Sequence, residues 1–578
     1  MQKSIYTMLF ILLASFGFSQ EKDNLGTEVV NVVKPYTPEI GDAFKIKSTP
    51  TLNDSVNTAK KKVTYGIFSV PVASTFVPEA GQAAEVEKEE RVKLYDSYAT
   101  LGFGTYTSAL AEFYTNFELD RDKNLGLYLN HNSSQGGIPD AIVDDFFYDT
   151  RLNAKFSSYD RDIDWNAELD LDHEVYNWYG VDDAFSSTED IYSQIDPTHS
   201  FIGVGLSGGV ELPDAIIEKA TARVRFFSDS YESSEFRAVV MPKAGFSIGD
   251  EMLNLDLKMD YVTGSFDRNY SNSQPLEYGT LITSLSPSLQ VLRDDLTLNL
   301  GLTGALAMDS QSSESTVKVY PNITASYRVA DELLIAYAGL EGQLMQNSYE
   351  QFVSENPFVS PTLAGISPTD ESYNFYLGAK GKLTSTLGYN LRGGYSAENN
   401  KALFKANPRF EDSDGNLGNE NYQYGNSFNV VYDDVKILNF FGELNFDLNT
   451  NLKLRLNGEV FSYSTDSQAE AWNLPTAKAS FFADYQIDEN WFAGVTLYMM
   501  SERKDVDDIT GPFIMPQPAT VTIDGFFDAN AHAGYRINEQ LSIFARVNNA
   551  LGNNYQRWFN YPVQGFQALA GATYKFDF

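Results

Sequence analysis

Residues 161–172 read Arg-Asp-Ile-Asp-Trp-Asn-Ala-Glu-Leu-Asp-Leu-Asp. Side chains alternate between the two faces of a strand, so the apolar residues fall on one face and the acidic and amide residues on the other. The same alternation returns along residues 252–261, 296–302 and 452–457. Repeated strands with one apolar and one polar face predict an all-β fold, a transmembrane antiparallel β-barrel.

The composition fits this fold and excludes several classes of protein. Aromatic residues make up 14% of the 578 residues, as expected for the aromatic girdles of such a barrel. The mean hydropathy is −0.29, and no apolar run is long enough for a transmembrane helix. The net charge of −36 argues against a nucleic-acid partner, because phosphate binding needs a basic surface. With no cysteine, disulfides, thiolate catalysis and cysteine metal sites are excluded.

The N-terminal region divides into two segments before the barrel. Residues 1–19 have the form of a signal peptide, with Lys3, an apolar stretch over residues 5–16 and small residues before a cleavage site at Gln20. Residues 20–93 are rich in proline and predict an extended periplasmic segment with little helix. We expect the barrel itself to occupy residues 94–578 of an outer-membrane protein from a Gram-negative bacterium.

Short polar turns and longer loops alternate through the rest of the chain. Turns such as Asp294-Asp295 and Asn538-Glu539-Gln540 predict the periplasmic rim, and the longer loops predict the extracellular rim. Counting with this parity gives 22 strands. The predicted starts lie near residues 94, 108, 125, 146, 163, 200, 219, 235, 252, 282, 296, 316, 333, 374, 387, 436, 452, 477, 491, 520, 541 and 567. Residues 430–434 could form an additional strand in a loop above the membrane.

The C-terminal sequence resembles the end of TonB-dependent outer-membrane receptors. The resemblance rests on Val547-Asn548-Asn549-Ala550-Leu551, then Tyr561-Pro562, then the final segment Gly571-Ala572-Thr573-Tyr574-Lys575-Phe576-Asp577-Phe578. Gln564 and Phe566 depart from the family, which usually has proline and arginine there. The resemblance implies an outer-membrane transporter. The family's barrel is filled by a plug domain, and residues 20–93 are too few to supply one.

Two segments are candidates for protein contacts that the resemblance implies. Tyr574, Phe576 and Phe578 resemble the terminal signal read by the barrel-assembly machinery. Thr27, Glu28, Val29, Val30, Val32 and Val33 resemble a TonB box, an extended segment that a TonB protein would pair with as an added strand. An ordinary extended strand is the alternative for residues 27–33. The expected partners are therefore outer-membrane lipid, the assembly machinery, and either TonB or another periplasmic or surface protein.

Other patterns give no catalytic, cofactor-binding or metal residues. Gly203-Val204-Gly205-Leu206-Ser207-Gly208 matches a dinucleotide fingerprint, but no helix follows it, so we expect these glycines to make room for neighbouring side chains or to allow the sheet to bend. Calcium in the loop Asp412–Glu420, and a metal or haem at loop histidines, are minor alternatives. The histidines are expected to be solvated. They are His131, His173, His199 and His532. The acidic strand faces are expected to line a hydrated lumen, and no enzyme activity is predicted.

Three functions remain open from the sequence. The first is transport of a ligand across the outer membrane, as the resemblance implies. The second is a porin-like channel without a plug, and the third is a scaffold subunit of an outer-membrane protein complex. Because an open barrel of this size would leak, we expect outer loops to fold inward and close it. Residues 345–374 and 400–425 are the candidates.

Overall fold

The computed structural model describes residues 93–181, 195–213, 215–249, 251–312, 314–409, 420–449, 451–507 and 519–578. Within them, 22 antiparallel strands form one closed sheet. These strands are β1 Ser97–Gly104, β2 Ala109–Asp120, β3 Lys123–Ser134, β4 Phe147–Tyr159, β5 Asp164–Asn177, β6 Thr198–Glu211, β7 Ile217–Asp229, β8 Ser234–Ile248, β9 Glu251–Phe266, β10 Leu276–Arg293, β11 Leu296–Asp309, β12 Ser315–Ala330, β13 Leu334–Met345, β14 Thr369–Thr384, β15 Leu387–Ala406, β16 Phe428–Asn449, β17 Leu452–Thr465, β18 Ala477–Gln486, β19 Trp491–Met500, β22 Phe526–Arg536, β23 Leu541–Asn548 and β26 Gln567–Phe576.

Four short strands lie in loops outside the barrel sheet. Arg503–Asp507 (β20) pairs with Ala519–Ile523 (β21), and Gln556–Trp558 (β24) pairs with Tyr561–Pro562 (β25). A 3₁₀ turn covers Thr105–Thr107, and one α-helix, α1, covers Tyr349–Glu355 among the residues described. None of the described helical segments is long and apolar enough to cross a membrane.

The barrel closes between its first and last strands. Each barrel strand pairs with the next one in the chain, and β26 pairs with both β23 and β1. Ser97 lies opposite Phe576, and Thr100 lies opposite Thr573 with 2.9 Å between their hydroxyl oxygens. Closure leaves no unpaired sheet edge in lipid, where unsatisfied backbone groups cost several kcal/mol each.

The predicted count of 22 strands and the all-β class are confirmed, with four corrected strand starts. β10, β14 and β16 begin earlier than predicted, at residues 276, 369 and 428. The stretch 430–434 is therefore the upper part of β16 and not a separate loop strand. The strand predicted near residue 520 is wrong, because residues 519–523 pair within a loop and the barrel strand begins at Phe526.

The two faces of the barrel wall follow the alternation read from the sequence. Along β5, Trp165 and Leu169 are about two-fifths exposed on the lipid side. On the other face, the Asn153 side chain donates to both Glu168 and Asp170 at 2.7 Å, and Lys155 lies 3.1 Å from Glu168. The acidic strand faces therefore point into the lumen, as predicted. The apolar outer surface and the 22-stranded closed sheet are those of an outer-membrane β-barrel.

Candidate functional site at the barrel mouth

A buried apolar cluster lies at the extracellular end of the barrel, and we call it the mouth cluster. Inward-facing residues from the upper ends of strands pack there against residues from the outer loops. Its members are Trp178, Phe201, Phe227, Val262, Phe266, Tyr278, Tyr349, Phe352, Val353, Phe358, Val359, Leu363, Ile366, Phe404, Ala406, Tyr422, Phe428, Val430, Trp558 and Tyr561. Such a cluster buries large aromatic surfaces, so the loops that supply them are held firmly in place.

The loop between β13 and β14, residues 346–368, supplies most of the loop side of this cluster, and we call it the lid. Its helix α1 begins after Ser348, whose hydroxyl accepts the backbone N–H of Gln351 at 3.2 Å and so satisfies one free donor of the first turn. Tyr349, Phe352 and Val353 form the buried face of the helix, and Ser354 lies on its exposed face. The helix is therefore amphipathic over only two turns, and packing rather than helix propensity stabilises it.

Tyr349 is fixed to two carboxylates on neighbouring strands. Its hydroxyl donates to Asp229 of β7 at 2.7 Å, and its backbone N–H donates to Glu235 of β8 at 2.6 Å. Asp229 also accepts from His199 Nε2 at 3.1 Å, and Glu235 also accepts from the hydroxyl of Tyr278. One fully buried residue of the lid is thereby bound to the barrel wall at two points.

Arg225 of β7 joins the lid to the wall a second time. Its Nε lies 2.6 Å from Glu350 of the lid, and its Nη2 lies 2.6 Å from Asp172 of β5. Gly203 and Gly205 lie on the strand between them, and a Cβ at Gly203 would overlap the side chains of Asp172 and Arg225. The glycines of the dinucleotide-like sequence thus make room for an ion pair, as the sequence interpretation expected.

The far end of the lid is bound to the start of β16. Val359 forms a parallel bridge with Phe428, with Ser360 N donating to Phe428 O at 2.9 Å and Phe428 N donating to Phe358 O at 3.0 Å. The side chain of Asn400 donates to the hydroxyl of Ser367 at 2.8 Å. The lid is therefore held at both ends as well as along its helix.

Loops from other parts of the chain also contribute to the mouth cluster. Tyr561 stacks on Phe358 with 3.6 Å between ring centroids, and its hydroxyl donates to the carbonyl of Asn426. Tyr179 donates to the carbonyl of Pro562 at 2.9 Å. Burial raises the pKa of Tyr179, Tyr422 and Tyr561, so these phenols stay neutral hydrogen-bond donors.

Asp505 connects three outer segments beside the mouth cluster. Its fully buried carboxylate accepts the backbone N–H of Ala406 at 2.9 Å and the side-chain amide of Asn473 at 2.7 Å. Burial raises the pKa of Asp505 to about 6, although these donors and Lys405 act in the opposite direction. Leu403, Trp472 and Val506 pack next to it in a smaller apolar cluster. The β20–β21 hairpin is thereby anchored to the loops on either side.

Both loops predicted to fold inward contribute, in their described parts, to the mouth cluster. Residues 346–368 form the lid, and Tyr422 of the second candidate loop belongs to the mouth cluster. The calcium candidate Asp412–Asn416 lies outside the described residues, while Glu420 is paired with Arg268. No group of three potential metal-binding side chains is assembled in the described parts of the chain.

The four histidines have different environments. His199 is buried beside Trp178, at 4.3 Å between ring centroids, so the expectation of a solvated histidine is wrong there. The alternation along β6 could have identified it. His199 lies two residues before Phe201 and therefore shares the polar, lumen-facing side of the strand. His131 lies on β3 and contacts Thr150 and Ser133, and His173 and His532 are exposed on β5 and β22.

Of the two segments proposed for protein contacts, the structure describes the C-terminal aromatic residues but not the TonB-box-like residues. The TonB-box-like residues 27–33, the signal peptide and nearly all of residues 20–93 lie outside the described residues. Tyr574 and Phe578 are exposed on the lipid side at the closing strand, and Phe576 packs between them at 5.9 and 5.2 Å between ring centroids. The terminal aromatic residues therefore form one continuous stack at the periplasmic rim.

Comparison with solved structures places this fold beside large outer-membrane receptors. The FrpB iron transporter from Neisseria meningitidis is similar with a TM-score of 0.64 and 11% identity, covering 84% of this chain and 82% of that one. The siderophore receptor PirA from Acinetobacter baumannii gives 0.61 and 12%, covering 84% and 81%. The copper transporter OprC gives 0.58 and 15%, covering 85% and 82%. The barrel architecture expected from the C-terminal resemblance is thus that of TonB-dependent receptors.

Comparison by sequence adds nothing to this. No protein-family model matches the chain, and no curated protein is significantly similar to it.

Proposed function

We propose that this chain transports a ligand across the outer membrane through a barrel whose own outer loops keep the mouth closed until a ligand arrives. The observation that carries the proposal is the lid, bound to the lumen wall through Tyr349, Glu350 and Phe428. The similarity to structures described as iron, siderophore and copper transporters supports the same class of function.

The mouth cluster argues against a permanently open porin-like channel. A porin needs a continuous water-filled path, whereas the mouth cluster is apolar and its aromatic side chains are in contact. A scaffold with a sealed pore is the remaining alternative, and it differs from a transporter in requiring no opening of the lid.

We propose that energy for opening or release comes from a TonB protein that pairs with residues 27–33 in the periplasm. Pairing of an extended segment with a sheet edge needs free backbone N–H groups, which proline lacks. A Val30→Pro variant should therefore lose capture by a purified TonB C-terminal domain, while Val30→Ala should keep it. Equal capture of both variants would contradict the TonB-box assignment.

Conductance in planar bilayers tests the transport path. Four proteins are compared: the full chain, the chain without residues 20–93, the chain with residues 346–368 replaced by a short Gly/Ser linker, and the chain with both changes. We expect the full chain to be silent and the doubly altered chain to conduct. Large steady conductance of the full chain would make it an open channel. Silence of all four would remove the path through the lumen and favour the scaffold.

A further inference from the structure

The side chain of Tyr349 fills a recess in the barrel wall, which we call the seat. The seat is formed by Phe227, Phe266, Tyr278, Asp229 and Glu235. The ring of Tyr349 meets Phe266 edge-on at 5.0 Å between centroids and Phe227 at 5.7 Å. Tyr349 is completely buried there. The seat therefore accepts an aromatic ring together with two hydrogen-bond donors.

The two carboxylates of the seat differ from their neighbours in making no direct ion pair with a lysine or arginine in the described part of the chain. Asp172 is paired with Arg225, and Asp260 is paired with Arg237 at 2.8 Å and with Lys258 at 3.2 Å. Among the described residues, no lysine or arginine lies within 4 Å of Asp229 or Glu235. Glu235 accepts from the Tyr278 hydroxyl and from the backbone N–H of Tyr349. Asp229 accepts from the Tyr349 hydroxyl and from two backbone N–H groups, and it contacts His199. If the lid withdraws, each carboxylate loses a donor and becomes open to a new one beside the aromatic rings.

Further unused polar atoms lie next to the seat. His199 Nδ1 and Trp178 Nε1 are buried, and neither has a hydrogen-bond partner within the described part of the chain. His199 already contacts Asp229 through its other ring nitrogen. Because buried polar groups are usually satisfied, these atoms indicate that the region can serve more polar contacts than the lid supplies.

We propose that the seat is a binding site for a cationic aromatic ligand, an ammonium group attached to a hydroxyphenyl or similar ring, and that Tyr349 occupies it as a built-in substitute. The ring of the ligand replaces that of Tyr349 between Phe227 and Phe266. Its ammonium and hydroxyl groups donate to Glu235 and Asp229. A cation gains more than the neutral Tyr349 from these carboxylates, because attraction between opposite charges is added to the hydrogen bond. Binding therefore displaces the lid.

This proposal shares one requirement with the proposed transport function, namely that the lid can open to the outside. Its test measures displacement of the lid and does not measure transport. The chain has no cysteine, so single cysteines report without background. Val353→Cys places a thiol on the buried face of α1, and Ser354→Cys places a matched thiol on its exposed face. The ratio of their labelling rates with a water-soluble maleimide reports how often the lid leaves the wall.

Tyramine is the probe, and 4-hydroxyphenylacetate is the matched control with the same phenol but a carboxylate in place of the ammonium. Tyramine at a few times its dissociation constant should raise the Val353→Cys to Ser354→Cys ratio by about fivefold. The control should leave it unchanged. Adding Glu235→Gln should remove the response to tyramine, and Asp229→Asn serves the same purpose if the first variant fails to assemble.

Two results would overturn the proposal. One is an equal response to both compounds, which would mean that the seat does not select charge. The other is a ratio that tyramine leaves unchanged. Since conductance is measured separately, silence of all four proteins in bilayers together with a tyramine response of the chain that carries the lid would contradict transport while leaving the binding site in place.

Discussion

Arg225 on the barrel wall and Glu350 on the lid lie 2.6 Å apart, and this ion pair joins the lid to the inner face of the barrel. Arg225 is only 10% exposed and is also bound to Asp172, so its position is fixed whether or not Glu350 is present. The barrel wall therefore carries a preformed binding site for the Glu350 carboxylate of the lid.

Replacing Glu350 with glutamine should loosen the lid without altering the barrel. Hydrogen bonds to charged groups contribute about 1.5–3 kcal/mol, and the amide retains part of this, so a loss of about 1–2 kcal/mol is expected. That loss corresponds to roughly tenfold faster labelling of Val353→Cys. Gln351→Glu, one residue further along the helix on its exposed side, is the control. An unchanged rate in Glu350→Gln would mean that the ion pair does not hold the lid.

The lipid-facing side of β6 gives a test of the strand faces. Val204 is two-fifths exposed near the middle of the strand, so Val204→Arg should destabilise the barrel by about 2–4 kcal/mol. Ser207→Arg places the same side chain on the lumen side and should cost much less. Urea unfolding in lipid vesicles measures both. A larger destabilisation by Ser207→Arg than by Val204→Arg would show that the lipid-facing and lumen-facing sides of β6 are assigned the wrong way round.

The anchor at Asp505 should depend on pH. Because the pKa of the buried carboxyl is raised to about 6, the folded loops bind its proton more tightly than unfolded loops do. The anchor is then strongest below about pH 4 and weakens as the pH rises to about 6, by at most about 3 kcal/mol.

Hydrogen exchange of the peptide covering residues 503–507 checks this dependence. Comparing the wild-type chain with Asp505→Asn at each pH cancels the intrinsic exchange rates. Protection in the wild type should fall relative to the variant between pH 4 and 7. A constant ratio would show that Asp505 keeps its ordinary titration in the folded loops.

Removing residues 576–578 should reduce assembly in the outer membrane. Phe576 pairs with Ser97 in the closing strand pair, and Phe578 packs on Phe117 at 5.4 Å between ring centroids. The fraction of protein that shifts in mobility on heating in SDS gels measures the folded barrel. Replacing Asp577 with asparagine is the control, and normal assembly of the shortened chain would argue against the terminal-signal assignment.

The barrel could be predicted from the sequence because each strand is specified by a pattern of neighbouring residues. Period-two alternation and short polar turns fix each strand and its faces, and closure then requires an even number of strands. The strand starts at residues 428 and 526 were missed for a tertiary reason. Residues 428–435 extend β16 because they pair with residues 398–406 of β15, and residues 519–523 pair with a neighbouring loop segment instead of the barrel.

The lid could be predicted as a closing loop but not in its detail. Ser348 followed by Gln351 is a signal for a helix start that the sequence interpretation did not use. The partners of Tyr349 could not be predicted, because Asp229 and Glu235 lie more than a hundred residues away in the chain and meet Tyr349 only across the lumen. Local sequence patterns therefore predict the strands of the barrel wall. The contacts between the lid and the wall are set by the closed barrel, which brings distant parts of the chain together.

The pairing of Ser97 with Phe576 makes closure of the barrel depend on the last strand of the sheet. A chain that lacks residues 567–576 leaves the edges of β1 and β23 without their partners, so prematurely terminated products cannot become barrels. Exposed strand edges are prone to pair with other chains or to be degraded. Closure of the barrel is therefore decided by a single strand, β26, which supplies the partner of both β1 and β23.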